Sequence, residues 1–218
     1  MITVTSKVAD VRSWFKELKD KKEYVTDKTG CQMLEVVGAT FIADEEAIFG
    51  TVNRDYVERE IAWYKSQSRN VYDIPGTPPK EWIRCADVNG QINSNYGYLI
   101  WSKENCEQYK HVRHELEVNP ESRRAVMIYT RPSIWNEYSA NGMSDFICTN
   151  TVQYFIRDGK LVALVGMRSN DLVFGYKNDR AWQSYVHKEL ADDLDCEIGQ
   201  MIWHAGSLHV YSRHFELI

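Results

Sequence analysis

The sequence predicts an α+β domain built on a mixed β-sheet flanked by helices. Two observations carry this. Segments with helical spacing of apolar residues interrupt strand-like runs irregularly, unlike a regular βαβ series. An Asp158-Gly159 pair also stands between two strand-like runs, and such a pair accepts the positive φ that a two-residue hairpin turn requires. With 218 residues and 44% hydrophobic content, one domain spanning 1–218 can bury a sizeable core.

Each element has its own signal. Val8, Val11, Phe15 and Leu18 recur at helical spacing and predict a short N-terminal helix. Asp27-Lys28-Thr29-Gly30 reads as a turn, followed by a strand from Met33 to Ile42. Val52 to about Ser66 reads as a helix, which the Pro-rich stretch from Tyr72 to Pro79 prevents from running on. A helix from Lys103 to Glu117 presents Tyr109, Val112 and Leu116 on one side, and Asn119-Pro120 stops it. Ala125 to Tyr129 reads as a strand, and the hairpin around Asp158-Gly159 supplies two more. Trp182, Tyr185, Val186 and Leu190 predict a helix from Arg180 to Leu194, and Leu208 to Tyr211 alternates like a strand.

The net charge of −5 argues against non-specific nucleic-acid binding, so an anionic small molecule needs locally gathered basic residues. The five cysteines are scattered, with no Cys-x-x-Cys pair. The first seven residues lack the apolar core of a signal peptide, and no apolar run approaches membrane-spanning length. A cytoplasmic protein with reduced thiols and no membrane partner is therefore expected. His111 and His114 share a helical face near Cys106, but no set of three or four ligands is visible, so no metal is expected. No Gly-rich phosphate loop, dinucleotide fingerprint or Gly-x-Ser-x-Gly elbow is present.

The chemistry-bearing residues are few. Cys148 stands just before the first hairpin strand, and pairing about Asp158-Gly159 sets it opposite Ser169, or opposite Arg168 if a β-bulge intervenes. A guanidinium beside a thiol favours the nucleophilic thiolate. Glu60 has Tyr56, Val57, Trp63 and Tyr64 as its helical neighbours; a carboxylate there is either a buried proton-transfer group or a paired one at the stripe's edge. Ser122-Arg123-Arg124 offers forked donors that suit phosphate, yet a solvated basic pair is the blander reading. Lys28 in its turn is equally weak alone. His209 and Tyr211, two apart on a strand, face one side, either to hold a hydroxylated ligand or to pack together.

Taken together these residues resemble the thymidylate synthase family, and within it the phage branch that hydroxymethylates deoxycytidylate. The likeness runs from about Tyr24 to His214. It rests on Glu60-Ile61-Ala62-Trp63-Tyr64, Ile92-Asn93-Ser94-Asn95-Tyr96-Gly97, Asn119-Pro120-Glu121-Ser122-Arg123-Arg124, Cys148-Thr149-Asn150, Arg168-Ser169-Asn170-Asp171 and Gly206 to Ser212. The resemblance implies a homodimer whose sheets pack together, using methylenetetrahydrofolate as cosubstrate and no metal.

By the same resemblance, Cys148 adds to carbon 6 of a pyrimidine nucleotide, and Glu60 and Tyr96 organise water and proton transfers. Arg168, Ser169 and Lys28 hold the phosphate, with Arg123 and Arg124 of the partner subunit. Asn170 also lies in the substrate-binding block, His209 and Tyr211 hold the sugar hydroxyl, and Trp82 and Asp171 contact folate. Asp179 stands where synthases carry a base-reading asparagine. A carboxylate suits the amine of cytosine, although Asp179 could instead cap a helix, and Asn178 is one residue away. Met167 and Thr149 replace the glutamine and histidine usual in synthases, which agrees with the hydroxymethylating branch. Relatives continue with a further C-terminal segment beyond Ile218, which in synthases closes over folate. The expected substrate is dCMP; the rivals are dUMP or CMP, or a nucleotide-binding role without turnover.

Overall fold

The computed structural model describes residues 4–218. Its strands form a six-stranded mixed sheet in the order β1-β2-β6-β5-β4-β3, and the chain divides into two compact units, residues 1–52 with 154–218, and residues 53–153. Strand β4 (Thr149–Arg157) passes from the second unit into the first. Among the described residues no helix is long and apolar enough to cross a membrane.

In the first unit, α1 (Val8–Lys21) buries Val8, Val11 and Phe15, as its spacing predicts. Asp10 accepts from the Lys7 amide at 2.7 Å to start the helix, and Lys22 ends it in the left-handed region at φ 57°. Strands β1 (Val25–Thr26) and β2 (Gln32–Ile42) form a hairpin across the predicted Asp27–Gly30 turn. Asp27 fixes that turn by accepting from the Thr29 amide at 2.8 Å and the Cys31 amide at 3.0 Å.

The Asp158-Gly159 turn also forms, with φ 52° and 75°, and leads into β5 (Lys160–Asp171). Strand β6 (Glu197–Tyr211) runs antiparallel to β2 and parallel to β5, which makes the sheet mixed. Leu161, Ala163, Val165 and Met167 alternate into the core with Trp203 and Ala205. Against this sheet packs α7 (Gly175–Asp193), burying Tyr176, Trp182, Val186 and Leu190. The helix starts five residues earlier than its apolar spacing indicates.

In the second unit, α2 (Arg54–Ser66) is capped by Asn53, which accepts from the Tyr56 amide at 3.1 Å. Three short α-helices follow before Cys148: α3 (Lys80–Cys85), α4 (Tyr96–Trp101) and, after α5 (Gln108–Val118), α6 (Ile134–Glu137). Helix α5 begins at Gln108 and not Lys103, because Cys106 and Glu107 take φ of 64° and 45° and break the helical run. Strand β3 (Val126–Ile128) pairs antiparallel with the first half of β4, setting Ile128 against Thr151.

Helices α2 and α4 approach so closely that a Cβ at Gly97 would lie 1.8 Å from the Tyr64 carbonyl oxygen. Only glycine fits there. The contact stacks Tyr64 on Tyr96, with ring centroids 5.3 Å apart, and Tyr129 meets Tyr96 edge-on at 5.2 Å.

Candidate functional site

Glu60 lies on the inward stripe of α2 and is 5% exposed. Its carboxylate accepts from the Tyr56 hydroxyl, one helical turn back, and from the Trp82 indole N–H at 3.0 Å. The same indole N–H lies 2.9 Å from the Tyr56 oxygen, so three polar groups converge in an aromatic wall that includes Trp63. Burial pushes the Glu60 carboxyl above its usual range; the two hydrogen bonds oppose this without cancelling it. Burial, then the neighbouring Glu60 charge, likewise raises the Tyr56 phenol. A carboxyl held in this way can carry a proton near neutral pH.

Cys148 is partly buried at the entrance to β4, its sulfur 3.8 Å from the Phe146 carbonyl, and all five cysteines are free thiols. Arg123 and Arg124 follow α5 and are exposed. Arg124 bonds Glu115 at 3.0 Å, and the Arg123 carbonyl accepts from the Gln153 amide at 2.7 Å. This fixes the backbone while leaving the Arg123 side chain directed to solvent.

The first unit gathers a second group. Parallel register sets Ser169 beside Ser207 and Asp171 beside His209, so these four share one side of the sheet. Antiparallel register adds Glu35 opposite His209, and the Ser207 hydroxyl donates to Glu35 and lies 3.3 Å from His209 Nδ1. His209 and Tyr211 meet edge-on at 5.1 Å, as two residues of one parity should. Burial lowers the His209 pKa below its ordinary 6.5, partly offset by Asp171, so the imidazole is neutral at pH 7 and can both donate and accept. Asp171 spends its oxygens on the Val173 amide at 3.2 Å and the Phe174 amide at 3.0 Å, turning the chain into α7.

Asn170, of opposite parity, is 2% exposed and donates its amide to Asp179 at 2.8 Å. Asp179 is the fifth residue of α7, so it does not cap that helix. The neighbouring Asn178 oxygen is buried with no hydrogen-bond partner. Asp179, not Asn178, is therefore the side chain that Asn170 holds. Lys28 is exposed on its pinned hairpin turn.

A family model described as thymidylate synthase matches residues 12–218. The chain belongs to the thymidylate synthase family. It is 52% identical over 225 aligned positions to the deoxycytidylate 5-hydroxymethyltransferase of Enterobacteria phage T4, covering 100% of this chain and 92% of that one. The thymidylate synthase of Vesicomyosocius okutanii is 26% identical, across 94% of this chain and 80% of that one. Among solved structures, thermostable thymidylate synthase A from Bacillus subtilis superposes with a TM-score of 0.75 at 25% identity, covering 97% of this chain and 82% of that one. Thymidylate synthase family enzymes use methylenetetrahydrofolate and a nucleotide.

Within this family frame, sequence reasoning passed over three residues. Tyr56 was visible only as an apolar neighbour of Glu60, although a phenol at i−4 can reach a buried carboxylate. Lys177 is buried and donates to the Thr51 carbonyl at 2.9 Å, with burial lowering its pKa; nothing in the local pattern marks a lysine as interior. Asp145 is buried three residues ahead of Cys148, and no spacing singles it out.

Proposed function

We propose that this chain transfers a one-carbon unit to carbon 5 of dCMP and adds water, giving 5-hydroxymethyl-dCMP. The observation that carries the reading is the carboxylate at 179, held by Asn170, in a chain 52% identical along its length to an enzyme named for that reaction. Asp179 accepts from the exocyclic amine of cytosine and from a protonated ring nitrogen 3; uracil offers no such amine. The two compact units act as one catalytic domain, consistent with a family match that spans both.

Each group has one task. The Cys148 thiolate adds to carbon 6, which makes carbon 5 electron-rich, because the ring is otherwise a poor nucleophile. Methylenetetrahydrofolate supplies the one-carbon unit at the formaldehyde level. Carbon 5 bonds that unit and loses its proton. The bond from the unit to the folate nitrogen breaks, so that tetrahydrofolate leaves with the electron pair and an exocyclic methylene remains on the pyrimidine. Glu60, with Tyr96 nearby, orders the water that adds to the methylene and takes up its proton, after which the Cys148 sulfur leaves carbon 6. Arg168, Ser169 and Lys28 hold the phosphate with Arg123 and Arg124 of the partner subunit, and His209 and Tyr211 hold the sugar hydroxyl.

The residues present fit folate. The Trp82 ring is half-buried with its nitrogen committed to Glu60 and Tyr56, and its accessible part is left for a pterin. Each Asp171 oxygen accepts one amide hydrogen bond and retains lone pairs. A homodimer is supported by the second face of the first unit's sheet, where Val162, Leu164 and Ile202 stay half-buried in the single chain. The reaction belongs to the cytoplasm.

Incubating the protein with methylenetetrahydrofolate and dCMP, dUMP or CMP, and weighing the products, tests this reading. A hydroxymethyl gain on dCMP alone is expected. A methyl gain on dUMP overturns it.

A further inference from the structure

The segment that carries the nucleophile is fastened at both ends. Downstream, Thr149 opens β4, and the Tyr129 amide donates to the Asn150 carbonyl at 2.9 Å beside the β3–β4 pairing. Upstream, Asp145 is 7% exposed and its carboxylate receives three hydrogen bonds from one short stretch. One oxygen accepts the Asn93 amide at 2.7 Å and the Ser94 amide at 2.8 Å; the other accepts the Ser94 hydroxyl at 2.7 Å. The Asn93 side chain returns a bond to the Asp145 carbonyl at 3.1 Å. Only Phe146 and Ile147 separate this clasp from Cys148, and Ile147 is fully buried.

The other side of the clasp leads to Glu60. Asn95, next after Ser94, donates to the Trp63 carbonyl at 3.1 Å and the Ser68 carbonyl at 2.7 Å, at the end of the helix that carries Glu60. It also caps α4, accepting from the Tyr98 amide at 2.8 Å, and so sets Tyr96. Asp145, Ser94 and Asn95 thus form a chain of buried, directional bonds from the cysteine segment to α2 and α4.

We propose that Asp145 is a positioning residue: its carboxylate clasps the 93–94 segment and thereby fixes Cys148 in register with Glu60 and Tyr96. This rests on the reading of Cys148 as nucleophile. A buried carboxylate accepting three short bonds from a single segment is rigid, because breaking any one of them leaves a polar group buried without a partner. Two intervening residues leave little slack, and misplacing a reacting atom by about 1 Å costs on the order of 100-fold in rate.

The clasp predicts an uncommon order of variants. In Asp145→Asn the amide oxygen can still accept both backbone N–H groups, while its NH₂ donates to the Ser94 oxygen. Asp145→Leu can do neither. Expected for Asp145→Leu is a kcat lower by about 100-fold with KM for dCMP within about threefold of wild type. Asp145→Asn should regain most of that loss, and Ser94→Ala, which removes one bond, should fall between them. Alkylation of Cys148 by iodoacetamide, followed peptide by peptide in the intact enzyme, reads the same displacement without any substrate.

If Asp145→Leu alkylates and turns over like wild type, the proposal fails. It fails equally if Asp145→Asn is as impaired as Asp145→Leu, since charge and not the clasp would then matter. Should Asp145→Leu not fold, Ser94→Ala at wild-type kcat and alkylation rate overturns it. If wild-type protein makes no product from dCMP while the Cys148 alkylation rates of Asp145→Leu, Ser94→Ala and Asp145→Asn still depart from wild type in that descending order, the functional reading falls and the clasp stands.

Discussion

The amide of Asn170 on β5 donates to the carboxylate of Asp179 on α7 across 2.8 Å, and both belong to the same compact unit. That bond orients the Asp179 carboxylate, which on the proposed reading accepts the base amine. Asp179→Asn is expected to move preference from dCMP towards dUMP, read as the ratio of kcat/KM for the two nucleotides. Asn170→Ala removes a hydrogen bond to a charged group, worth about 1.5–3 kcal/mol, and should lower kcat/KM for dCMP by roughly 10- to 100-fold. Unchanged cytosine preference in Asp179→Asn would remove that residue from base recognition.

Cys148→Ser should still bind dCMP but release no tritium from carbon 5 of labelled nucleotide, because serine lacks the thiolate's nucleophilicity. Mixing this variant with an Arg123→Ala/Arg124→Ala double variant tests the shared site. If the arginines act across a two-fold interface, half of randomly reassorted dimers hold one intact site, so about a quarter of wild-type activity returns. No recovery after verified subunit exchange would place the arginines outside the partner's site.

Glu60 gives a pH prediction with a definite sign. Its folded pKa lies above the ordinary 4.5, so the folded protein holds that proton more tightly than the unfolded chain. The contribution to stability is full below the ordinary value and is lost as pH rises through the folded value. Glu60→Gln never ionises and lacks this slope. Thermal melts between about pH 4 and pH 8 should show wild type losing stability relative to Glu60→Gln as pH rises. Turnover by the variant should drop by about 100- to 10,000-fold. A wild type that gains on the variant with rising pH would contradict the burial argument.

Gly97→Ala should be severely destabilising, by about 3 kcal/mol or more, since its methyl would lie 1.8 Å from the Tyr64 oxygen and the obstacle is backbone. Urea denaturation should show a lower midpoint, and near-ultraviolet dichroism should report a loosened Tyr64–Tyr96 stack. A midpoint equal to wild type would mean that α2 and α4 separate at little cost.

Much of this was legible from residue order, and the exceptions have physical reasons. Glu60 stands out in the sequence because four aromatic or apolar neighbours surround it at helical spacing. That spacing leaves burial and pairing at the stripe's edge both open, and only the fold shows it buried. Asp158-Gly159 was legible because few pairs tolerate two successive positive φ values. Helix α4 was invisible, since six residues are too few to display a period. The late start of α5 arises from left-handed Cys106 and Glu107, residue types that rarely choose that region. Strand β6 proved 15 residues long where only its last four alternated plainly, because Ile198 and Ile202 on its less buried face are as apolar as the buried Met201 and Trp203 and blur the two-residue rhythm. The Asp145 clasp lay beyond reach because it joins residues 93–94 to 145, a distance no local pattern spans.

The hairpin at Asp27 bears on the phosphate contact proposed for Lys28. Three bonds from one aspartate oxygen, to the Thr29 amide, the Thr29 hydroxyl and the Cys31 amide, stiffen the backbone on either side of Lys28 before anything arrives. Ordering the ammonium then freezes only the torsions of a single aliphatic arm, up to about 2 kcal/mol of rotamer entropy, and not those of a whole loop. Association at this corner of the molecule is accordingly expected to be quick and nearly free of conformational delay.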